Sequence, residues 1–418
     1  MASLRENFSW LLASRLAVMG AGLLTGGLIN RALGPAGRGV LAEMQTWVGL
    51  FAVLCGLSLD SALYHFANRE RYGDDDRRRF VIATRLSILT ALAAAAALAA
   101  FVRLRPGAVA PETAALLGPL CLLLVATMLA SNLAVFFQAL GQVRFAAGLG
   151  VAQAAAYLCL VGGVALGGGL DLETVVRALI VQQAVALAIV AVHAARAGLW
   201  RGAFSGEMAR GILGAGARQH VATVATFLYM KLNQVLVFRM SGAQEAGLFA
   251  AALNLSFAFA FVPTTFQNAL YPRVIHGADD FEVTVRALRL GFYGWGAATL
   301  ALAALAEPIL LVYGGGEFRG AATVFRVLLL SSWLLPLSSF IAPYLIKAGA
   351  FGLASASAVA LGAISIALNL LLIPRHAGLG AALATALTCA AGFAMALAML
   401  RHLAGRSPLG FLALRRGV

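Results

Sequence analysis

The sequence predicts an all-α, polytopic membrane protein with about twelve transmembrane helices in two parallel halves of six. Of its 418 residues, 61% are hydrophobic and 11% are charged, whereas soluble domains are about 45–50% apolar and about 25% charged. The apolar residues come in runs of about 20 or more, long enough to cross a bilayer as helices. A soluble fold of this composition would leave too few polar residues to cover its surface.

The apolar runs place six spans in each half. Those of the first half are 8–30, 38–66, 80–102, 113–139, 145–168 and 174–198. Those of the second half are 216–238, 246–271, 286–306, 322–346, 352–373 and 379–402. Arg15 interrupts the first run and no cleavage region follows it, so we expect a retained helix and not a secretory signal. The predicted domains are residues 1–205 and 206–418.

A repeated pattern marks equivalent positions in the two halves. Its residues recur 208 positions later: Arg31, Gly34 and Gly39 against Arg239, Gly242 and Gly247. A repeat of half the chain indicates two copies of one structural unit, and copies with an even number of spans have the same orientation in the membrane. We expect positive φ at Gly34 and Gly242, where one helix ends. Gly39 and Gly247 open the next helix, where a small residue allows close packing.

The distribution of Lys and Arg predicts the orientation. With the N-terminus inside, 19 of the 31 basic residues fall on the cytoplasmic side, nine on the opposite side and three within spans. This excess places both termini in the cytoplasm, and it includes the basic tail residues Arg415 and Arg416. Most of the net charge of +14 is thereby accounted for by loops that face anionic lipid, so we predict no nucleic-acid partner.

Three stretches, in the same order along the chain, resemble bacterial polysaccharide flippases of the O-antigen (Wzx) type. They are residues 31–39 (RALGPAGRG), 228–234 (LYMKLNQ) with the following 242–250, and 372–382 (LIPRHAGLGAA). The resemblance implies the multidrug/oligosaccharidyl-lipid/polysaccharide flippase superfamily. Its MATE-like fold has two six-helix lobes around a central cavity that opens alternately to each side. The chain departs from the family at Asn233, where members often carry an acidic residue.

Four ionisable residues fall inside predicted spans: Arg15, Glu43, Arg85 and Lys231. Such residues are costly in a membrane and normally face the bundle interior or a wet cavity. Their equivalents 208 positions away are uncharged: Thr223, Ala251, Tyr293 and Leu23. Because the scaffold is duplicated and these charges are not, we interpret them as serving a task and not as a requirement of folding.

Lys231 is the predicted centre of substrate binding. It lies about 15 residues into its span, some 22 Å along a helix that rises about 1.5 Å per residue, so snorkelling to the cytoplasmic side is difficult. Gln234 lies one turn away on the same face and Asn233 is close by. A cation with amide donors can hold a phosphate, with Arg15 supplying a second cation from the other half. The alternative is a salt bridge between Lys231 and Glu43 that locks the halves together.

The other candidates have weaker assignments. Glu43 is the candidate coupling group because it could take up a proton, or it pairs statically with Arg15. Arg85 lies about five residues into its span, and we expect it to reach the cytoplasmic surface. For Arg31 and Arg239 we favour turn geometry and snorkelling over direct contact with the substrate.

Neither a catalytic site nor a metal or cofactor site is predicted. The six histidines show no paired-ligand spacing, and the four cysteines each lie alone in an apolar span. The glycine runs 167–169 and 314–316 lack the Lys-Ser/Thr of a phosphate loop.

Our interpretation is a flippase that moves a polyprenyl-diphosphate-linked oligosaccharide to the outer leaflet of a bacterial inner membrane, for cell-surface polysaccharide biosynthesis. Proton or sodium coupling and contacts with other polysaccharide-assembly proteins are further expectations. One alternative is a small-molecule or drug cation antiporter on the same fold, which would carry several intramembrane acids. A membrane-embedded glycosyltransferase or polymerase would need a large outer loop with carboxylates. A non-transporting scaffold is a third alternative.

Overall fold

The computed structural model describes residues 4–66, 75–276 and 280–412. Within these ranges the chain is helical and contains no β-strand, so the predicted all-α class is confirmed. Most of the loop between the predicted spans 38–66 and 80–102, and the basic tail with Arg415 and Arg416, lie outside the described residues.

The helices are numbered here in chain order. The first seven are α1 (Leu4–Gly56), α2 (Leu59–Phe66), α3 (Asp76–Leu104), α4 (Pro111–Ala115), α5 (Leu117–Ala139), α6 (Val143–Leu166) and α7 (Leu172–Arg196). The others are α8 (Gly206–His276), α9 (Asp280–Leu290), α10 (Gly296–Ala304), α11 (Ala306–Gly314), α12 (Ala321–Lys347) and α13 (Phe351–Ala404). A π-helical turn, Gly291–Trp295, joins α9 to α10, and a 3₁₀ turn, Pro408–Leu412, follows α13.

Three of the long helices are interrupted by one residue with positive φ. The breaks are at Gly34 (φ 63°) in α1, at Gly242 (φ 89°) in α8 and at Ala377 (φ 50°) in α13. The prediction of positive φ at the two repeated glycines is therefore confirmed. Since Gly lacks a Cβ, it adopts this conformation without steric cost.

The lengths and compositions of the helices agree with a polytopic membrane protein. Among the described residues, seven helices are long and apolar enough to cross a membrane, or eight if α9–α10 and α11, bent by 65°, form one span. The spanning parts of α1 and α13 contain 45 and 53 residues, and about 20 residues suffice for one crossing. When α1, α8 and α13 are each divided at their breaks, the described ranges hold about twelve long segments, as predicted.

The chain forms two compact units. The first unit comprises Met1–Leu33 and Val40–Phe227, and the second comprises Gly34–Gly39 and Leu228–Val418. The division into domains at residue 205 stays a prediction. The two compact units meet inside α8, which belongs to the first unit up to Phe227. The short segment 34–39, which precedes the second half of α1, belongs to the second unit.

The core of the first unit is formed by apolar faces of α2, α3, α5 and α7. Phe80 and Phe137 are fully buried there, with ring centroids 6.1 Å apart. The N-terminus of α7 is capped by Asp171, whose Oδ1 accepts a hydrogen bond from the Thr174 backbone N–H at 2.8 Å. Hydrogen bonding to Thr174 holds the pKa of the exposed Asp171 carboxyl below its ordinary value.

The repeated glycines pack against each other inside the second unit. A Cβ on Gly39 would lie 1.8 Å from the carbonyl oxygen of Ala243. A Cβ on Gly247 would lie 1.7 Å from the carbonyl oxygen of Pro35. Any side chain would collide with backbone at either position, so the prediction that these glycines permit close packing is confirmed. The pattern thus builds one tight contact between its own two copies.

The 3₁₀ turn after α13 is anchored to the core of the second unit. Phe411 is 2% exposed and packs against Phe292, with ring centroids 5.3 Å apart. The Arg289 guanidinium donates to the Gly410 carbonyl at 2.8 Å, and the Tyr293 hydroxyl donates to the Leu412 carbonyl at 2.8 Å. Burial of an aromatic ring and two hydrogen bonds hold this end of the described chain in place.

Candidate functional site

Lys231 lies in the second unit, on the part of α8 that precedes the break at Gly242. Its side chain is half-buried, and its Nζ stands 5.4 Å from the centroid of the Phe257 ring. A cation over an aromatic face gains about 0.5–2 kcal/mol, depending on its desolvation. Among the described carboxylates of the second unit, none forms an ion pair with this ammonium group. The stabilisation of Lys231 within this unit therefore comes from a neutral ring.

Asn233 is buried two residues further along the same helix. Its Nδ2 donates to the Thr385 hydroxyl at 3.3 Å, whereas its Oδ1 has no hydrogen-bond partner among the described residues. If the amide were rotated by 180°, Oδ1 would face the Thr385 hydroxyl and Nδ2 would lack a partner, so one of the two polar atoms is unpaired in either case. A buried unsatisfied polar atom costs about 1–3 kcal/mol. Gln234, predicted to share the face of Lys231, is half-buried.

Arg38 is a second cation of this unit, and its burial was not predicted. It is 5% exposed, although it stands at the first position of the predicted span 38–66. Arg38 and Lys231 belong to the same unit and carry charges of the same sign. The equivalent position in the second copy is Ala246. Arg38 is thus a further charge without a charged equivalent in the other copy.

Glu43 accepts hydrogen bonds from three donors, all within the first unit. The Trp47 indole N–H lies at 3.0 Å, the Ala110 backbone N–H at 3.1 Å and the Thr113 hydroxyl at 2.5 Å. Ala110 is the residue before α4 and Thr113 lies within it, so the carboxylate accepts hydrogen bonds at the start of that helix. Glu43 thus joins the second half of α1 to the segment that follows α3. Its role as a coupling group stays a prediction.

Arg85 lies over an aromatic ring at one end of the first unit. Its guanidinium carbon is 5.1 Å from the centroid of Phe204, which follows α7. The equivalent pair 208 positions later is Tyr293 and Leu412, joined by a hydrogen bond of 2.8 Å. The charge of Arg85 is unduplicated, but its contact with the segment after the sixth predicted helix is duplicated. This geometry favours the structural interpretation of Arg85.

The remaining predicted site residues are exposed. Arg15 lies in the first unit, in the part of α1 before Gly34. Arg31 and Arg239 each lie three residues before a helix break. Substrate contact by these residues stays a prediction. Within the described ranges, no group of three or more His, Cys, Asp or Glu side chains is arranged to hold a metal ion.

The second unit also contains a pocket near Lys231. Its empty volume is about 520 Å³, including the part open to its surroundings. We call it the serine pocket after its polar lining, which is Asn233, Ser256, Ser331, Ser332, Ser365 and Thr385. The rest of the wall is apolar or weakly polar and includes Met230, Leu253, Phe257 and Cys389. The pocket was not predicted, because hydroxyl and amide groups and not charges mark its polar lining.

Comparison with known proteins identifies the family. A sequence profile described as "Polysaccharide biosynthesis protein" matches residues 4–276. The chain belongs to the polysaccharide biosynthesis protein family. This result confirms the resemblance found in the sequence. No curated protein matches the chain.

Solved structures share the fold of this polysaccharide biosynthesis protein at low sequence identity. Lipid II flippase MurJ in an inward closed conformation is 13% identical, with a TM-score of 0.70, covering 96% of this chain and 89% of that one. An inward-facing multidrug resistance MATE family transporter of the MOP superfamily is 13% identical, with a TM-score of 0.69 and coverages of 93% and 96%. A MOP superfamily transporter from Pyrococcus furiosus is 13% identical, with a TM-score of 0.64 and coverages of 95% and 97%. The predicted MATE-like fold is thus confirmed.

Proposed function

We propose that the chain is a flippase that moves a sugar linked to polyprenyl diphosphate from the cytoplasmic to the outer leaflet of a bacterial inner membrane. Membership of the polysaccharide biosynthesis protein family supports this function. Further support comes from the fold, which resembles that of a protein named lipid II flippase. In this proposal the protein carries out no bond-breaking step and changes only the leaflet in which its substrate lies.

The observation that carries the proposal is the cationic region around Lys231. This ammonium forms no ion pair with a described carboxylate of its own unit, and the buried Arg38 adds a second positive charge to that unit. An anion bound beside Lys231 would neutralise its charge and accept charge-assisted hydrogen bonds from it. A diphosphate has the required charge.

The direction of transfer follows from the charge of the substrate. Moving one elementary charge through 100 mV changes its free energy by about 2.3 kcal/mol, so two negative charges leaving a negative interior gain roughly 4–5 kcal/mol. The cations need only neutralise the head group during transit, while the polyprenyl tail stays in lipid. We further propose cytoplasmic termini and alternating access; proton or sodium coupling, with Glu43 as its candidate group, is secondary in this scheme.

The proposal is tested by replacing Lys231 in protein reconstituted into vesicles. Lys231→Met should reduce transfer of a fluorescent polyprenyl-diphosphate oligosaccharide by about 10- to 100-fold, since a hydrogen bond to a charged group contributes about 1.5–3 kcal/mol. Lys231→Arg should retain more activity than Lys231→Met because it keeps the charge. Lys347 is the other lysine of the chain and pairs with Asp280 at 3.0 Å, so Lys347→Met is the matched control. Equal transfer by the Lys231→Met and Lys347→Met proteins would refute the role of Lys231.

A cation antiporter on the same fold is the second candidate, favoured by the similarity to MATE family transporters. A cationic substrate would need acidic partners, whereas Lys231 and Arg38 are basic, and the Glu43 carboxylate already accepts three hydrogen bonds. Vesicles that accumulate an organic cation in exchange for protons, but transfer no lipid-linked sugar, would decide for the antiporter.

A further inference from the structure

Two tryptophans connect α12 with the π-helical turn Gly291–Trp295. The Trp295 indole N–H donates to the Ser332 carbonyl at 3.2 Å. In the other direction, the Trp333 indole N–H donates to the Phe292 carbonyl at 3.1 Å. The two segments thus exchange one indole hydrogen bond each way. Because π-helical turns are rare and occur often at functional sites, we examined what holds this one in place.

The Ser332 carbonyl needs the indole donor because of a proline. Pro336 lies four residues later in α12 and has no N–H, so it cannot form the helical hydrogen bond to Ser332. Ser332 is 3% exposed, and a buried carbonyl without a donor is unfavourable. The Trp295 indole therefore replaces the backbone donor that α12 lacks at this point.

The π-helical turn is also held by the 3₁₀ turn Pro408–Leu412. Phe411 is 2% exposed, and its ring centroid lies 5.3 Å from that of Phe292. The Tyr293 hydroxyl donates to the Leu412 carbonyl at 2.8 Å, across 119 residues of sequence. Two consecutive residues of the π-helical turn are thus fixed by a segment that follows α13.

Ser332 links this arrangement to the wall of the serine pocket. Ser332 and Ser256 both line the pocket, with their Oγ atoms 2.5 Å apart. The Ser332 hydroxyl is also 3.0 Å from the Ser256 carbonyl. The ring of Trp295 stacks on Phe259 of α8, with centroids 4.0 Å apart. Trp295 therefore contacts both α12 and α8, the two helices that supply these serines.

The first copy of the repeat lacks the corresponding residues. At an offset of 208 residues, the π-helical turn corresponds to 83–87, which is α-helical. The tryptophans, the proline and the buried phenylalanine have the following equivalents: Ser87 for Trp295, Val125 for Trp333, Met128 for Pro336 and Ala203 for Phe411. The shared scaffold therefore does not require this arrangement, which is specific to the second unit.

We propose that the 3₁₀ turn Pro408–Leu412 controls the conformation of the serine pocket through the π-helical turn. While the 3₁₀ turn is seated, the Phe292 ring and the Tyr293 hydroxyl are fixed, and the segment that carries them stays π-helical. Release of the 3₁₀ turn allows residues 291–295 to become α-helical. The seated and released forms are two conformations of the second unit whose populations depend on this one contact.

Conversion of the π-helical turn changes the pocket wall. A π-helical turn contains more residues than the about 3.6 of an α-helical turn, so conversion redirects Trp295 away from Ser332. The Ser332 carbonyl then has neither donor, and α12 changes its bend at Pro336. Cys389, which is 4% exposed and lines the same pocket, becomes more accessible. This coupling does not depend on which substrate the protein carries.

The test measures access to the pocket without any substrate. In a protein whose other three cysteines are replaced by alanine, the reaction of Cys389 with a small methanethiosulfonate reagent is followed in detergent. Phe411→Ala should accelerate it by about fivefold or more, the lower end of typical couplings between two sites. Leu409 lies in the same 3₁₀ turn but is exposed, so Leu409→Ala is the matched control. Equal rates for these two variants would overturn the inference.

A second comparison separates the coupling from a general loss of stability. Phe80→Ala removes a fully buried ring from the core of the first unit and should lower the thermal midpoint. It should nevertheless leave the reaction rate of Cys389 unchanged. If Phe80→Ala accelerates the reaction as much as Phe411→Ala does, any destabilised form of the protein exposes Cys389, and the inference is overturned.

Trp295→Phe tests the next step and replaces Phe411→Ala if that variant does not fold. It keeps a ring that can stack on Phe259 and removes the N–H that Ser332 accepts, so it should accelerate the reaction similarly. Trp200→Phe is the matched control, since the Trp200 indole donates to a backbone carbonyl of the first unit at 3.5 Å. Equal rates for Trp295→Phe and Trp200→Phe would contradict the inference.

The double variant of Phe411→Ala and Trp295→Phe shows whether the two residues act at one step. If they do, the double variant should react about as fast as the faster single variant, because the second change finds the contact already lost. An acceleration equal to the product of the two single effects would mean that they act independently, and the coupling would be refuted. No lipid-linked sugar enters these measurements, so their outcome is separate from that of the transfer assay.

Discussion

Glu43 provides a prediction whose magnitude follows directly from the geometry. Replacing it by alanine removes the acceptor of three donors, of which the Ala110 N–H and the Thr113 hydroxyl form buried hydrogen bonds. Leaving a buried donor unsatisfied costs about 1–3 kcal/mol. Two such donors give an expected loss of about 2–6 kcal/mol in the free energy of unfolding. The side chain is 1% exposed, so we do not expect bulk water to replace the lost carboxylate.

Two further variants separate hydrogen bonding from charge. Glu43→Gln keeps one oxygen in place and should lose about 1–3 kcal/mol, since an amide nitrogen then replaces one acceptor. Glu112→Ala removes an exposed carboxylate from α4 of the same segment and should change stability by less than about 0.5 kcal/mol. The three variants form a series in which the loss of stability follows the number of acceptors removed from the buried donors.

The assay is thermal unfolding of the purified protein in detergent, followed by tryptophan fluorescence at one fixed scan rate. Trp47 donates directly to Glu43 at 3.0 Å, so its emission should also shift in the folded state of Glu43→Ala. An unfolding temperature of Glu43→Ala equal to that of Glu112→Ala would refute the stabilising role of these hydrogen bonds. In vesicles, loss of a proton-gradient dependence in Glu43→Gln with unchanged stability would instead support the coupling role predicted from the sequence.

Three other predictions concern stability. Gly247→Ala places a Cβ 1.7 Å from a backbone oxygen and should lower the free energy of unfolding by an amount near the upper end of the about 1–3 kcal/mol typical of overpacking. Its control is Gly22→Ala, which should not lower stability because nothing lies within 4 Å of the added Cβ. Equal thermal midpoints for the two variants would contradict the packing. Phe411→Ala should lower the free energy of unfolding by about 3–5 kcal/mol because Phe411 is only 2% exposed. Leu409 is exposed, so Leu409→Ala is the control and should have a clearly higher thermal midpoint than Phe411→Ala; the reverse order would contradict the account. Asp171→Ala should cost about 1 kcal/mol at pH 7 by loss of the helix cap. Since the pKa of the Asp171 carboxyl is lowered in the fold, this difference should persist down to about pH 4 and disappear as the pH falls through the lowered pKa; a difference that grows on acidification would contradict it.

The fold was predictable because the apolar composition indicates membrane-spanning helices and the repeat at an offset of 208 residues indicates two similar halves. Runs of about 20 apolar residues require spanning helices, and the repeat of Gly34 and Gly39 at Gly242 and Gly247 fixed where helices break and touch. The bounds were less predictable. The predicted second span, 38–66, is interrupted at Leu57 and Ser58, both with positive φ, where apolar composition gives no signal of a break.

The site was only partly predictable. Lys231 was predicted because its equivalent in the other half, Leu23, is uncharged. Its environment in its own unit is consistent with an anion site. The lack of a charged equivalent does not reveal a residue's hydrogen-bond partners, so it did not distinguish the structural hydrogen bonds of Glu43 from a coupling role. The burial of Arg38 and the serines of the pocket were not predicted either. Burial and hydrogen bonding depend on contacts between helices that are distant in sequence, which periodicity within one helix does not encode.

The most direct test of the account is transfer by the wild-type protein itself. Purified protein in vesicles with a potassium-diffusion potential is supplied with a fluorescent polyprenyl-diphosphate oligosaccharide on the electrically negative side. We predict transfer to the opposite leaflet, detected by an added glycosidase, and faster transfer at 100 mV than at zero potential, because two charges gain roughly 4–5 kcal/mol. Transfer no faster than in protein-free vesicles, under both conditions, would contradict the central claim.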